Sequence, residues 1–236
     1  MRLRPAFLIA VERMIASSSM TLESLKITPK VGFAHRTWGD APHPASGEVQ
    51  KIPTGRLTGN CVLPGLTKLI LGAQNVALSA SCVRTFPNLT QLEIYSFISG
   101  NVSPSFWDAL GSAGTLLQSL SIFPIDEPVS KYLASYSGLK TLRVCHLPGH
   151  PAPTPGDREG YVEATASNLF NAVLPKHQGT LRHLAFDNLK FDEFMMDDAS
   201  ITKLAGCKFL QTLWIGYDHA ISRDVWTMDL VRFASI

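Results

Sequence analysis

The chain has 236 residues, 45% apolar and 17% charged, which is enough apolar material for a folded core and excludes the composition of a disordered segment. Its 21 basic and 19 acidic residues leave a formal charge of +2 and form no basic block, so no nucleic-acid partner is expected. No apolar run approaches the roughly 18 to 20 residues that a membrane helix needs, so no membrane partner is expected either.

The start of the chain, Met1 to Ser19, places Leu3, Phe7, Val11, Met14 and Ile15 at helical spacing, the buried stripe of an ordinary helix. Glu12 and Arg13 interrupt the run Ala6 to Val11 and make it too short for a secretory signal; a mitochondrial presequence is the alternative, because the segment bears arginines and ends in serines. Cys61, Cys82, Cys145 and Cys207 lie far apart without a CxxC pair, which fits a reducing compartment, cytoplasm or nucleus. The sequons at Asn88 and Asn101 carry little weight, since such triplets arise by chance.

From Leu22 onward one pattern recurs: Leu, two variable residues, Leu, one variable residue, then Leu, Ile, Val or Phe. Its seven copies are Leu22-Leu25-Ile27, Leu66-Leu69-Leu71, Leu89-Leu92-Ile94, Leu117-Leu120-Ile122, Leu139-Leu142-Val144, Leu181-Leu184-Phe186 and Leu210-Leu213-Ile215. Alternation along a strand sends the second and third apolar residues of each copy to one face and their neighbours to the other. Such a strand cannot bury its apolar side alone, so neighbouring units stack in parallel with a return segment behind each.

The return segments read as helices. Ser103-Pro104 supplies an N-cap and a first-turn proline before Phe106, Trp107 and Leu110, with Gly114 beyond. Pro128 opens a second helix, with Val129, Tyr132, Leu133 and Tyr136, which Gly138 closes. Val162, Thr165, Leu169 and Val173 mark a third from Glu159 to Leu174, ended by Pro175, and Asp198 precedes a fourth with Ile201 and Leu204, ended by Gly206. Four of the six spacings between copies fall between 22 and 29 residues; the other two, 44 and 42, could each hold an insertion or a degenerate repeat. Pro42, Pro44 and Pro53, then Pro148, Pro151, Pro153 and Pro155, place these insertions in loops near 28–62 and 147–160.

These motifs, among them Phe86-Pro87-Asn88-Leu89-Thr90-Gln91-Leu92-Glu93-Ile94 and the runs from Leu174 to Phe186 and from Cys207 to Ile215, resemble the leucine-rich-repeat superfamily. Within it the chain is similar to the ribonuclease-inhibitor-like arrays that follow F-boxes in many fungal proteins. The resemblance covers Leu22 to Ile215 and implies an α/β fold: one leucine-rich-repeat solenoid over 1–236, with a parallel concave sheet of about seven strands and helices on the convex side. Where many such repeats place a turn-bonding Asn, this chain has Gln74, Phe97, Ile125, Leu147, Leu189 and Asp218, which implies an irregular horseshoe. The function implied is a non-catalytic module that binds another protein, as the substrate-recognition region of an F-box-type ubiquitin ligase receptor. A cullin-ligase adaptor is implied only if an F-box lies outside this chain, because none is visible before Leu22.

The outward positions of the strands form columns. The central column is Lys26, Ile70, Glu93, Ser121, Arg143, Ala185 and Trp214, flanked by Tyr95, Phe123, Cys145 and Asp187 on one side and Lys68, Gln91 and His183 on the other. Seven strands span about 29 Å along the stack at a spacing of about 4.8 Å, wide enough for a peptide or a protein edge. Aromatic residues and Arg dominate protein interfaces, and Glu93, Tyr95, Phe123, Arg143, His183, Asp187 and Trp214 are the candidate partner-binding residues. For Phe123 and Trp214 the competing reading is packing beneath neighbouring loops or the long insertions.

Other clusters read more plainly. Cys145, His146 and His150 offer three potential ligands on a loop where a structural zinc needs four, and His35 and His43 fare no better, so no metal is expected. The acidic run Asp192 to Asp198 fits helix capping better than cation binding. There is no GxSxG elbow, Walker loop, HExxH or dinucleotide fingerprint, so neither catalytic residues nor a cofactor are expected. Two alternatives stand beside the binding module: a regulator of the small GTPase Ran, with Arg84 or Arg143 as an electrostatic contact, and a hydrolase on a parallel α/β sheet.

Overall fold

The computed structural model describes residues 13, 15, 17–18, 20–27, 52–53, 62–72, 76–94, 102–145, 155–187 and 197–215. Tyr95, His35, His43, His146, His150, Cys61, Gln74, Phe97, Leu147, Leu189, Asp218 and the acidic residues Asp192 and Glu193 lie outside them.

The Leu-rich copies are strands: β1 (Ser24–Ile27), β3 (Lys68–Leu71), β5 (Gln91–Ile94), β6 (Ser119–Ile122), β7 (Thr141–Cys145), β8 (His183–Asp187) and β9 (Thr212–Ile215). They form one parallel seven-stranded sheet in the order β1-β3-β5-β6-β7-β8-β9, which is chain order, and the sheet is not closed. A two-stranded parallel pair, β2 (Ile52–Pro53) with β4 (Val76–Ala77), stands apart from it. The loop expected over 28–62 therefore includes a paired extended segment.

The register aligns the repeat. Leu25, Leu69, Leu92, Leu120, Leu142, Leu184 and Leu213 occupy equivalent positions across the sheet. From Leu69 to Leu184 these side chains are fully buried or nearly so, in one apolar cluster with the helical residues behind them. At about 25 cal/mol per Å² of apolar surface, each buried Leu contributes about 2 to 3 kcal/mol, and the row is the main stabilising feature of the sheet.

Between the strands lie α1 (Ala80–Val83), α2 (Pro104–Ser112), α3 (Glu127–Ala134), α4 (Pro155–Asn168), a π-helical turn (Leu169–Val173), α5 (Leu174–His177) and α6 (Asp198–Ala205). Local chemistry sets their ends. Asp126 accepts the Val129 N–H at 3.2 Å to cap α3, and Asp197 accepts the Ser200 N–H at 2.8 Å to cap α6. Hydrogen bonding from Ser200, by its hydroxyl first and its N–H second, lowers the pKa of the Asp197 carboxyl. Gly114 and Gly138, at φ of 67° and 132°, turn the chain from α2 and α3 towards the next strand in a conformation that side chains disfavour.

Two expectations are corrected. The helix expected to end before Pro175 runs on to His177, and it begins at Pro155, within the loop expected over 147–160. The π turn explains how the helix passes the proline. The Leu174 N–H reaches back five residues to the Leu169 carbonyl, so the ladder is already shifted where Pro175 lacks an N–H and its ring would crowd an α-helical carbonyl.

Helix side chains tie successive units together. The Tyr132 hydroxyl accepts the Leu117 N–H at 3.2 Å and donates to the Thr115 carbonyl at 2.7 Å; Tyr136 donates to the Leu117 carbonyl at 2.9 Å. His177, fully buried, accepts the Leu139 N–H on Nδ1 at 3.3 Å, which leaves Nε2 to donate to the Leu133 carbonyl at 3.0 Å. Asn168 donates to the carbonyl of Ile125 at 2.9 Å. Phe106, Trp107, Tyr132, Tyr136 and His177 form a continuous chain of ring contacts with centroids 5.1 to 5.6 Å apart.

Candidate functional site

The sheet has one face against the helices and one face turned away. On the second face each strand presents the residues on either side of its central Leu. The first column is Ser24, Lys68, Gln91, Ser119, Thr141, His183 and Thr212, and the second is Lys26, Ile70, Glu93, Ser121, Arg143, Ala185 and Trp214. Lys26, Gln91, Arg143, His183, Thr212 and Trp214 are exposed.

Glu93 pairs with Lys68 on the adjacent strand at 2.8 Å, both partly exposed. A half-exposed pair of this kind is worth little to stability; it fixes two side chains and locally neutralises the face. His183 Nδ1 lies 3.2 Å from the Thr212 hydroxyl of β9. Trp214 keeps 39% of its surface exposed, a large value for an indole on a sheet. Arg143 stands one strand from Ala185 and two from Trp214 in the same row, so a guanidinium and an indole flank a small residue.

The third column departs from the simple alternation. Phe123 follows the end of β6, joined to Pro124 by a cis peptide, and is half-buried against the apolar cluster. Cys145 is buried, with its Sγ 3.2 Å from the Oγ of Ser121, which is buried as well. Asp187 sits opposite Cys145 in the register, and Tyr95 lies outside the described residues. The face thus brings Glu93, Arg143, His183 and Trp214 onto one surface, with the Ser121–Cys145 pair enclosed at its middle. Sequence reasoning had placed Cys145 in a column but not its burial. The signal was available in the diagonal placement of two small polar residues on neighbouring strands.

No family model matches this chain, and neither the curated proteins nor the solved structures contain a match to it.

The chemistry of the site therefore rests on the residues themselves. Among the described residues no three His, Cys, Asp or Glu side chains come close enough to hold a metal ion. Among them, too, no helix is long and apolar enough to cross a membrane. Among the described strands the order does not reverse, unlike the doubly wound sheets that open a crevice for small ligands at a switch point. What the described residues offer on this face is a ruled surface of mixed polarity.

Proposed function

We propose that this chain is a non-catalytic recognition module, a leucine-rich-repeat solenoid that binds another protein on the outward face of its sheet. The carrying observation is the common register of seven consecutive parallel strands, which keeps two columns of varied side chains outward while the Leu row is buried. Residues on such a face are free of the demands of the core, which lets partner choice vary without loss of the fold.

By its sequence resemblance the module serves as the substrate-recognition region of an F-box-type ubiquitin ligase receptor in cytoplasm or nucleus, engaging a cullin-ligase adaptor when an F-box lies outside this chain. Arg143 and Trp214 are its anchors, supported by Glu93, His183 and Asp187. In the centre of interfaces, truncating residues of these types costs about 2 kcal/mol or more each. The test is proximity labelling and cross-linking of the chain in cells, followed by binding measurements on the partner identified. Replacing Arg143 and Trp214 with Ala should weaken capture at least thirtyfold, on the order of 2 kcal/mol, while leaving the thermal unfolding midpoint in place. Undiminished capture by a folded double variant refutes the use of this face.

A further inference from the structure

The edge at which the strands begin has a different chemistry from the face. The turns entering β3, β5, β6, β7, β8 and β9, residues 62–67, 84–90, 113–118, 135–140, 178–182 and 206–211, contain no Asp or Glu. They carry Arg84, Lys140, Arg182 and Lys208, all exposed. Three of the six large hydrophobic side chains exposed among the described residues lie in the same turns: Val62 at 54%, Leu116 at 51% and Phe209 at 58%. A fourth, Met20, lies in the turn before β1, where the edge also has its one carboxylate, Glu23.

Backbone bonding holds this edge in register. The carbonyls of Glu23, Thr67, Thr90, Gln118, Lys140 and Arg182 each accept two N–H groups from the entry of the next strand, as Lys140 does from Arg182 at 2.8 Å and His183 at 3.0 Å. Lys140 and Arg182 are therefore neighbours on adjacent strands, about 4.8 Å apart at the backbone. Like charges so placed repel. Among the described residues none of the four cations pairs with a carboxylate; Lys140 reaches only the amide oxygen of Gln118, at 2.9 Å.

The helix dipole does not account for Lys140, Arg182 and Lys208. Lys131, Lys176 and Lys203 occupy the last turns of α3, α5 and α6, where the dipole acts, whereas Lys140, Arg182 and Lys208 come after those helices have ended. Cations with no carboxylate partner among the described residues, set along one edge with the exposed Val62, Leu116 and Phe209, form a surface with a definite complement.

We infer that this edge docks an extended acidic segment of another protein that carries apolar side chains as well as carboxylates. From β5 to β9 the edge covers about 19 Å, the reach of about six extended residues. The carboxylates meet Lys140, Arg182 and Lys208, while the apolar side chains cover Leu116 and Phe209. This surface is separate from the outward face of the sheet and does not depend on that face being used.

The test uses the full chain and a fluorescein-labelled peptide alternating glutamate with phenylalanine. A lysine–phenylalanine peptide and vesicles of phosphatidylserine with phosphatidylcholine serve as comparators. The glutamate peptide should bind saturably. Reversing Lys140 and Arg182 together to Glu should weaken that binding about tenfold or more, as should added salt, since exposed charge pairs are screened. Phe209→Ser should weaken it at constant salt, and Trp214→Ala should leave it unchanged. All substitutions are on exposed side chains, and circular dichroism confirms the fold. The inference is overturned if the charge-reversed variant binds as the parent does, if the lysine peptide binds equally well, or if only the vesicles bind, which would assign the edge to lipid.

Discussion

His177 should make the protein sensitive to mild acid. Its imidazole is fully buried, with both ring nitrogens engaged by backbone groups of the preceding unit, and burial lowers its pKa from 6.5 to about 4. Protonation would force Nδ1 to face the Leu139 N–H as a second donor. A buried imidazole with a depressed pKa contributes stability that is fully present above about pH 6.5. It is lost as pH falls towards 4, because the unfolded chain takes up the proton first. At pH 4.5 the loss relative to pH 7.5 is about 2.5 kcal/mol, from about 1.4 kcal/mol per tenfold difference in proton affinity. The assay is urea unfolding at both pH values for the parent and for His177→Gln, which cannot titrate in this range. Other ionisable groups contribute equally to both proteins, so the quantity of interest is the difference between their acid sensitivities. The variant should be less stable at pH 7.5 yet lose about 2.5 kcal/mol less on acidification. Equal acid sensitivity in the two proteins would refute this role for His177.

Two further predictions concern the core. Leu120→Ala, in the middle of the buried row, should cost about 3 to 5 kcal/mol through lost burial and a residual cavity, measured as a drop in the urea midpoint. Thr165 is fully buried, and its hydroxyl has no hydrogen-bond partner among the described residues. Replacing it with the near-isosteric Val should raise stability by about 1 kcal/mol in the same assay, since an unmet buried hydroxyl is removed; a loss of stability would show that the hydroxyl has a partner.

The strands were legible in the sequence because a period of two with one buried side leaves a Leu at a fixed position, and the register places those Leu residues side by side from Leu25 to Leu213. The helices were legible where caps and glycines punctuate them, as at Ser103, Gly114 and Gly138. Pro175 misled because a local rule about proline says nothing of the π turn before it, which depends on packing of the whole helix. The side-chain bonds that tie successive units, Asn168 on the Ile125 carbonyl, Tyr132 and Tyr136 on Leu117, and His177 on Leu133 and Leu139, join residues up to 44 apart, which no local pattern encodes. At the candidate site, alternation located Glu93, Arg143, His183 and Trp214 on the outward face. The half-burial of Phe123 and the burial of Cys145 are not described by alternation.

Because strand order follows chain order, among the described residues each strand of the large sheet pairs only with its immediate neighbours, and no strand pairing among them closes the sheet from end to end. Cohesion is then a nearest-neighbour property, like that of a stack of coins. Release of β1 or β9 costs a single interface and leaves a shorter stack of the same kind. Disruption of β6 or β7 divides the molecule into two pieces, each with a newly opened edge. Damage at the middle is for that reason of a different kind from damage at the ends, and the rings and His177 that tie α2, α3 and α5 together lie across that vulnerable middle.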